Sequence, residues 1–144
     1  MKSDKRKAKR VSVEFPVTVY LFDNRENTRR GVPLEGRISD FSPLGARLTI
    51  PTMTVDGKHL FYACNGNPDY ALDLAFALEG STERVISVPA TPVWFDRDLA
   101  SERKGFIVGL KFLADSKSPE IRILCQEACQ DEQRFFSLWR RFFQ

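Results

Sequence analysis

Two short motifs near the start of the chain carry side chains suited to binding an anionic nucleotide. The first is an R-x-x-x-R motif of Arg6 and Arg10, and the second is a D-x-S-x-x-G motif of Asp40, Ser42 and Gly45. Arginine presents a planar fork of donors that matches a phosphate and also the O6 and N7 edge of guanine. A carboxylate can accept hydrogen bonds from the opposite edge of guanine, which carries N–H donors. The two motifs together therefore suit a guanine nucleotide.

Each motif also has a simpler interpretation when it is taken alone. Asp40 can cap its own backbone in a turn, and a basic arm can be a solvated tail. Ser42 adds a compact donor, and Gly45 permits either a close backbone approach or a positive φ. Because the motifs occur in order on either side of the first two strands, the combination favours a binding site. The adjacent Arg47 is a weaker candidate for the same site.

Positive charge is concentrated at the front of the chain. Residues 1–47 hold 11 Lys and Arg against 6 Asp and Glu, whereas the remaining residues hold 11 against 13. This distribution implies an anionic partner near the front, which by composition alone could be nucleic acid, lipid or a small phosphate ligand. Residues 1–10 carry six basic side chains and almost no apolar ones. They are therefore predicted to form a flexible arm.

The elements that must position these motifs are short strands. Apolar residues alternate with polar ones in six segments, which predicts a mainly β fold, a six-stranded antiparallel β-barrel over residues 11–113. Pro16 cannot donate to a sheet, so it belongs at an edge, a bulge or an unpaired side. Residues 51–69 are expected to be a long polar connection without a helix. The predicted strands are Val11–Leu21, Val32–Ile38, Ala46–Ile50, Leu72–Leu78, Arg84–Phe95 and Phe106–Phe112.

A long C-terminal helix is predicted over residues 118–143. Ser118 is a suitable N-cap, Pro119 suits the first helical position, and apolar residues then recur at helical spacing. The end of this segment has more aromatic side chains than one packing face needs. We therefore expect the helix to contact a protein partner or a second copy. The aromatic residues are Phe135, Phe136, Trp139, Phe142 and Phe143.

Several classes of protein are disfavoured by the sequence. No arrangement of a nucleophile with a base, no phosphate-binding Gly-rich loop and no metal cluster is recognisable, so we expect neither an enzyme nor a metal or cofactor site. The three cysteines follow no disulfide spacing, and no apolar run is long enough to cross a membrane, which favours the cytoplasm. Trp94 is interpreted first as a residue of the core or barrel wall rather than as a ligand platform.

The paired motifs resemble the signature of the PilZ domains, R-x-x-x-R followed by [D/N]-x-S-x-x-G. The resemblance extends to Gly45–Leu48, to Val93–Trp94 and to Gly105–Phe112. It implies binding of the bacterial second messenger cyclic di-GMP by a signalling receptor or adaptor, with the N-terminal arm ordering over the ligand. The ligand-binding residues it implies are Arg6, Arg10, Asp40, Ser42 and Gly45, with Arg47 as a further candidate.

The alternative is a small β-barrel that binds nucleic acid through its basic arm. It is disfavoured because the basic residues do not interleave with exposed aromatic residues along the strands.

Overall fold

The computed structural model describes residues 15–77, 85–99 and 104–131. Six antiparallel strands pair in the order β1-β2-β3-β8-β7-β6, and β1 also pairs with β6, so that the sheet closes into a barrel. The predicted mainly β, six-stranded antiparallel fold is confirmed. The six strands are β1 (Phe15–Asp23), β2 (Thr28–Ser39), β3 (Gly45–Ile50), β6 (Tyr70–Ala77), β7 (Val85–Arg97) and β8 (Phe106–Phe112).

The barrel encloses one apolar core built from the alternating residues. In β1, for example, Val17, Val19 and Leu21 are buried, while the residues between them are partly exposed. Pro16 pairs with Arg37 of β2, but β1 pairs with β6 only from Thr18 onward. The side of Pro16 away from β2 therefore has no strand partner, which is one of the three placements that the sequence allows.

The second strand is longer than predicted. We expected Val32–Ile38, but β2 begins at Thr28 and continues to Ser39. The carboxylate of the buried Asp23 accepts hydrogen bonds from the N–H groups of Arg25 and Glu26, which closes the turn within four residues. The prediction was wrong because residues 23–31 were all assigned to the turn, although residues 28–31 belong to β2.

Residues 51–69 are not a polar connection. They form a small hairpin, β4 (Thr54–Val55) with β5 (Lys58–His59), followed by a short helix, α1 (Leu60–Cys64). Buried side chains anchor this insertion on the barrel core; they are Met53, Val55, Leu60 and Cys64. The prediction of a loop without a helix was wrong because these apolar residues follow no single period. We call residues 51–69 the insertion below.

The C-terminal helix α2 runs from Pro119 to Asp131 within the described residues. Ser118 is its N-cap: its Oγ accepts a hydrogen bond from the Ile121 N–H at 3.4 Å. Ile121 and Leu124 are fully buried against the barrel. The predicted continuation to residue 143 lies outside the described residues, as do the aromatic residues that were expected to form a contact surface. Within the described ranges, neither helix is long and apolar enough to cross a membrane.

Candidate functional site

The D-x-S-x-x-G motif forms the connection from β2 to β3 at one end of the barrel wall. Asp40 directly follows β2, and Gly45 begins β3. Phe15, the first described residue of β1, pairs with Ile38, two residues before Asp40. The chain therefore enters the barrel beside this motif. Arg6 and Arg10 themselves lie outside the described residues.

Asp40 adopts a backbone conformation that few residue types tolerate. Its φ is +48°, in the left-handed region, which Asp and Asn occupy more readily than other non-glycine residues. Its carboxylate is about one-third exposed, and Oδ2 lies 3.5 Å from Nε of Arg47. The conformation turns the chain from β2 into the motif, and the side chain stays accessible to a ligand.

Ser42 holds the motif in its turn. Its N–H donates to the Gly45 carbonyl oxygen at 2.9 Å, and its Oγ lies 3.4 Å from the same oxygen. The same Oγ accepts a hydrogen bond from the Leu44 N–H at 3.2 Å. The residue is only 6% exposed. Both polar contacts of the hydroxyl are therefore within the loop, and they stabilise the conformation of the turn.

Gly45 is required by close packing rather than by a positive φ. A Cβ atom at this position would lie 2.0 Å from the carbonyl oxygen of Leu110 on the neighbouring strand β8. That contact is far inside van der Waals distance, and its partner is backbone, which cannot rotate away. Of the two reasons that the sequence offered for this glycine, close backbone approach is the one that the structure supports.

Trp94 lies beside the motif, on the outer surface of the barrel. It is 44% exposed, and its indole covers Gly109 so closely that a Cβ there would lie 2.1 Å from Nε1. Gly109 also pairs with Arg47, whose guanidinium carbon is 6.0 Å from the centre of the Trp94 ring. Asp40, Arg47, Gly109 and Trp94 thus form one continuous surface, which we call the candidate face.

Sequence analysis favoured a core or wall position for Trp94 over a role as a ligand platform. Its exposure results from a β-bulge: Pro92 pairs with Leu110 and Trp94 with Gly109, which leaves Val93 as an extra residue. In an unbroken strand Trp94 would have the same inward orientation as the buried Pro92. Pro92, in the middle of a strand pattern, was the available signal for an irregularity.

Three arginines at the turn end of the β1–β2 hairpin are engaged by carboxylates. The nitrogen–oxygen distances are 3.8 Å for Arg25 with Asp69, 2.9 Å for Arg29 with Asp73 and 3.1 Å for Arg30 with Asp23. The first two pairs connect the turn end of the β1–β2 hairpin to β6 and its preceding loop, and the third lies within the hairpin. The three arginines at this turn end are therefore largely neutralised by neighbouring carboxylates.

Cys64 and His59 are both engaged in packing rather than available as reactive groups. Burial raises the pKa of the Cys64 thiol to about 12, so it stays protonated at neutral pH and is a poor nucleophile. The ring of His59 packs against Tyr62 and Phe95 at centroid distances of 4.6 and 4.9 Å. No group of three potential metal ligands occurs among residues 15–77, 85–99 and 104–131.

Comparison with known proteins gives a family from the sequence and a similar fold from the structure. None of the curated proteins compared with the chain matches it. The fold is similar to the structure described as the PilZ domain with c-di-GMP of YcgR from Escherichia coli, with a TM-score of 0.50 and 13% identity. That match covers 91% of this chain and 97% of the other. The sequence model of the PilZ domain matches residues 4–126, including both motifs. The chain therefore belongs to the PilZ domain family.

Proposed function

We propose that this protein is a bacterial cytoplasmic receptor that binds cyclic di-GMP on the candidate face and relays its presence to a partner. The observation that carries the proposal is the candidate face itself: a carboxylate, a guanidinium and an exposed indole lie together beside the D-x-S-x-x-G turn. A guanine base presents polar edges and two flat faces, and these three groups complement both. The structurally similar YcgR domain was solved with c-di-GMP, which supports the same ligand here.

In this proposal the ligand displaces the ion pair between Asp40 and Arg47, and each of the two side chains then contacts the ligand instead. Their ion pair is about 3.5 Å long and both side chains are substantially exposed, so it contributes little to folding. Asp40 can then accept hydrogen bonds from the N–H edge of guanine, while the Trp94 indole offers a stacking surface. Ser42 and Gly45 form the floor of the site by holding the turn and by allowing β8 to approach.

Arg6 and Arg10 supply phosphate and guanine contacts from the arm. Arg10 precedes Phe15 by five residues, which limits the distance between their Cα atoms to about 18 Å in a fully extended chain. Phe15 itself is opposite Ile38, close to the candidate face. The arm therefore has enough length for Arg10 to reach the candidate face, and its charge matches the two phosphates of cyclic di-GMP.

The arm is expected to become ordered when the ligand binds. Ordering costs about 1 to 2 kcal/mol per backbone residue, and residues 1–10 have little apolar surface to offset that cost. Two phosphates would relieve the repulsion between the basic side chains and provide fixed acceptors. Hydrogen exchange of residues 2–10 should therefore slow at saturating cyclic di-GMP. Equal exchange with and without ligand would remove this ordering from the mechanism.

Calorimetric titration tests the proposed function, with GTP and cyclic di-AMP as controls. We expect selective binding of cyclic di-GMP, because the site combines guanine recognition with contacts to two phosphates. Affinity should also fall as salt rises, since several charges take part. Binding of cyclic di-AMP as tightly as cyclic di-GMP, or no binding of either, would contradict the proposal.

Binding of nucleic acid is the less favoured alternative, because three arginines at the turn end of the β1–β2 hairpin already pair with carboxylates. We further infer a binding module rather than an enzyme. We propose that residues 118–143 provide the surface for a protein partner or a second copy, on the basis of the aromatic residues near the end of the sequence.

A further inference from the structure

The insertion, residues 51–69, contacts both flanks of the bulge that exposes Trp94. On one flank, the side-chain amide of Asn65 donates a hydrogen bond of 3.0 Å to the carbonyl oxygen of Pro92. Asn65 is the C-cap of α1, and its own N–H donates to the Phe61 carbonyl oxygen at 2.8 Å, which fixes it at the end of the helix. Pro92, the residue before the extra Val93, is thus hydrogen-bonded to the insertion.

The second flank is held by aromatic packing. The Phe95 ring lies 4.9 Å from that of His59 and 5.2 Å from that of Phe61, with Tyr62 at 6.1 Å. Phe95 pairs with Val108 in β8, so the strand has regained its regular register at this point. The insertion therefore contacts the strand just before and just after Val93 and Trp94, the two residues that the bulge displaces.

We propose that Asn65 is a positioning residue for the ligand site and that the insertion holds the bulge in the register that turns Trp94 outward. A β-bulge leaves part of the ladder unpaired, and such bulges commonly direct a side chain at a functional site. Here the amide of Asn65 provides a partner for the carbonyl at the bulge, which favours this register. The inference rests on the proposed function only for its effect on affinity, because the position of Trp94 can be measured without ligand.

The test replaces Asn65 in a Trp139→Phe background, where Trp94 is the sole tryptophan. Asn65→Asp keeps the shape of the side chain but replaces the donor with a carboxylate oxygen. The matched control is Asn24→Asp, since the Asn24 amide also donates to a proline carbonyl, Pro68, at 2.8 Å, but away from the bulge. In the ligand-free protein, Asn65→Asp should change the acrylamide quenching and near-ultraviolet circular dichroism of Trp94, and Asn24→Asp should change neither.

Affinity for cyclic di-GMP provides the second readout. Asn65→Asp should weaken binding about threefold to tenfold, the loss expected for one neutral hydrogen bond. This loss should disappear when Trp94 is replaced by alanine, because Asn65 would act through Trp94. Unchanged Trp94 spectra in Asn65→Asp, or an equal loss of affinity with and without Trp94, would overturn the proposal. If the parent protein binds no cyclic di-GMP, the proposed function fails while the spectra of the free protein still test the positioning.

Discussion

Arg10→Ala is expected to lower the affinity for cyclic di-GMP by roughly 10- to 150-fold. A hydrogen bond to a charged group is worth about 1.5 to 3 kcal/mol, and Arg10 is the motif arginine closer to the start of β1. Calorimetry measures the loss directly. Because residues 1–10 are proposed to form an arm outside the barrel core, the melting temperature of the free protein is expected not to change.

Lys9→Ala is the matched control for that prediction. It removes the same unit charge from the adjacent position but leaves both motif arginines in place. We expect a small, salt-dependent loss of affinity, because a general field effect lacks the paired geometry of a guanidinium. Equal losses for the two variants would indicate that the arm acts only through its charge. Wild-type affinity in Arg10→Ala would show that the assignment of the first motif is wrong.

Gly45→Ala is expected to destabilise the barrel and to impair binding together. The added Cβ would lie 2.0 Å from the Leu110 carbonyl oxygen, so β3 and β8 must separate locally. Overpacking of this kind costs about 1 to 3 kcal/mol, which corresponds to a fall of roughly 3 to 12 °C in melting temperature. Thermal unfolding followed by circular dichroism measures it, and unchanged melting would contradict the close approach.

Gly109→Ala is an informative companion to Gly45→Ala. Its Cβ would lie 2.1 Å from Nε1 of Trp94, a side chain that can swing away, whereas the neighbour of Gly45 is backbone. We therefore expect a smaller loss of stability but a clear change in Trp94 fluorescence. Leu44→Ala, at an exposed position next to Gly45, serves as the control and should alter neither property strongly.

The barrel could be predicted from the sequence because its strands have one buried face and one exposed face. In β1 the alternating residues Val17, Val19 and Leu21 are the buried ones. In β8 the alternating apolar residues Val108, Leu110 and Phe112 are likewise buried. The helix start at Ser118 was also predictable, since N-capping depends on a few neighbouring residues. In these cases the controlling interaction is local or strictly periodic.

The features that escaped prediction depend on contacts between distant segments. The bulge at Val93 is defined only by its pairing with β8 and by the Asn65 contact from the insertion. The insertion's own structure rests on a few buried residues with no regular spacing, so its composition resembled that of a loop. Trp94 could not be assigned to the outer surface without knowledge of both features.

The candidate site was predictable only where neighbouring residues along the chain determine its structure. The types and spacing of Asp40, Ser42 and Gly45 indicated a turn with an available carboxylate, and the structure has that turn. The sequence did not reveal that the Ser42 hydroxyl is engaged within the loop or that Gly45 meets Leu110. The second of these details follows from the close approach of β3 and β8.

The most direct test of the account is an amide and indole NMR titration with cyclic di-GMP. We expect the largest shifts at residues 40–45, at Arg47 and Gly109, and at the indole N–H of Trp94. A cleft of about 380 Å³ near Pro16, Glu35 and Asp98 provides an internal comparison, because it lies outside the candidate face. Shifts confined to that cleft, or no shifts along the candidate face at saturation, would contradict the account.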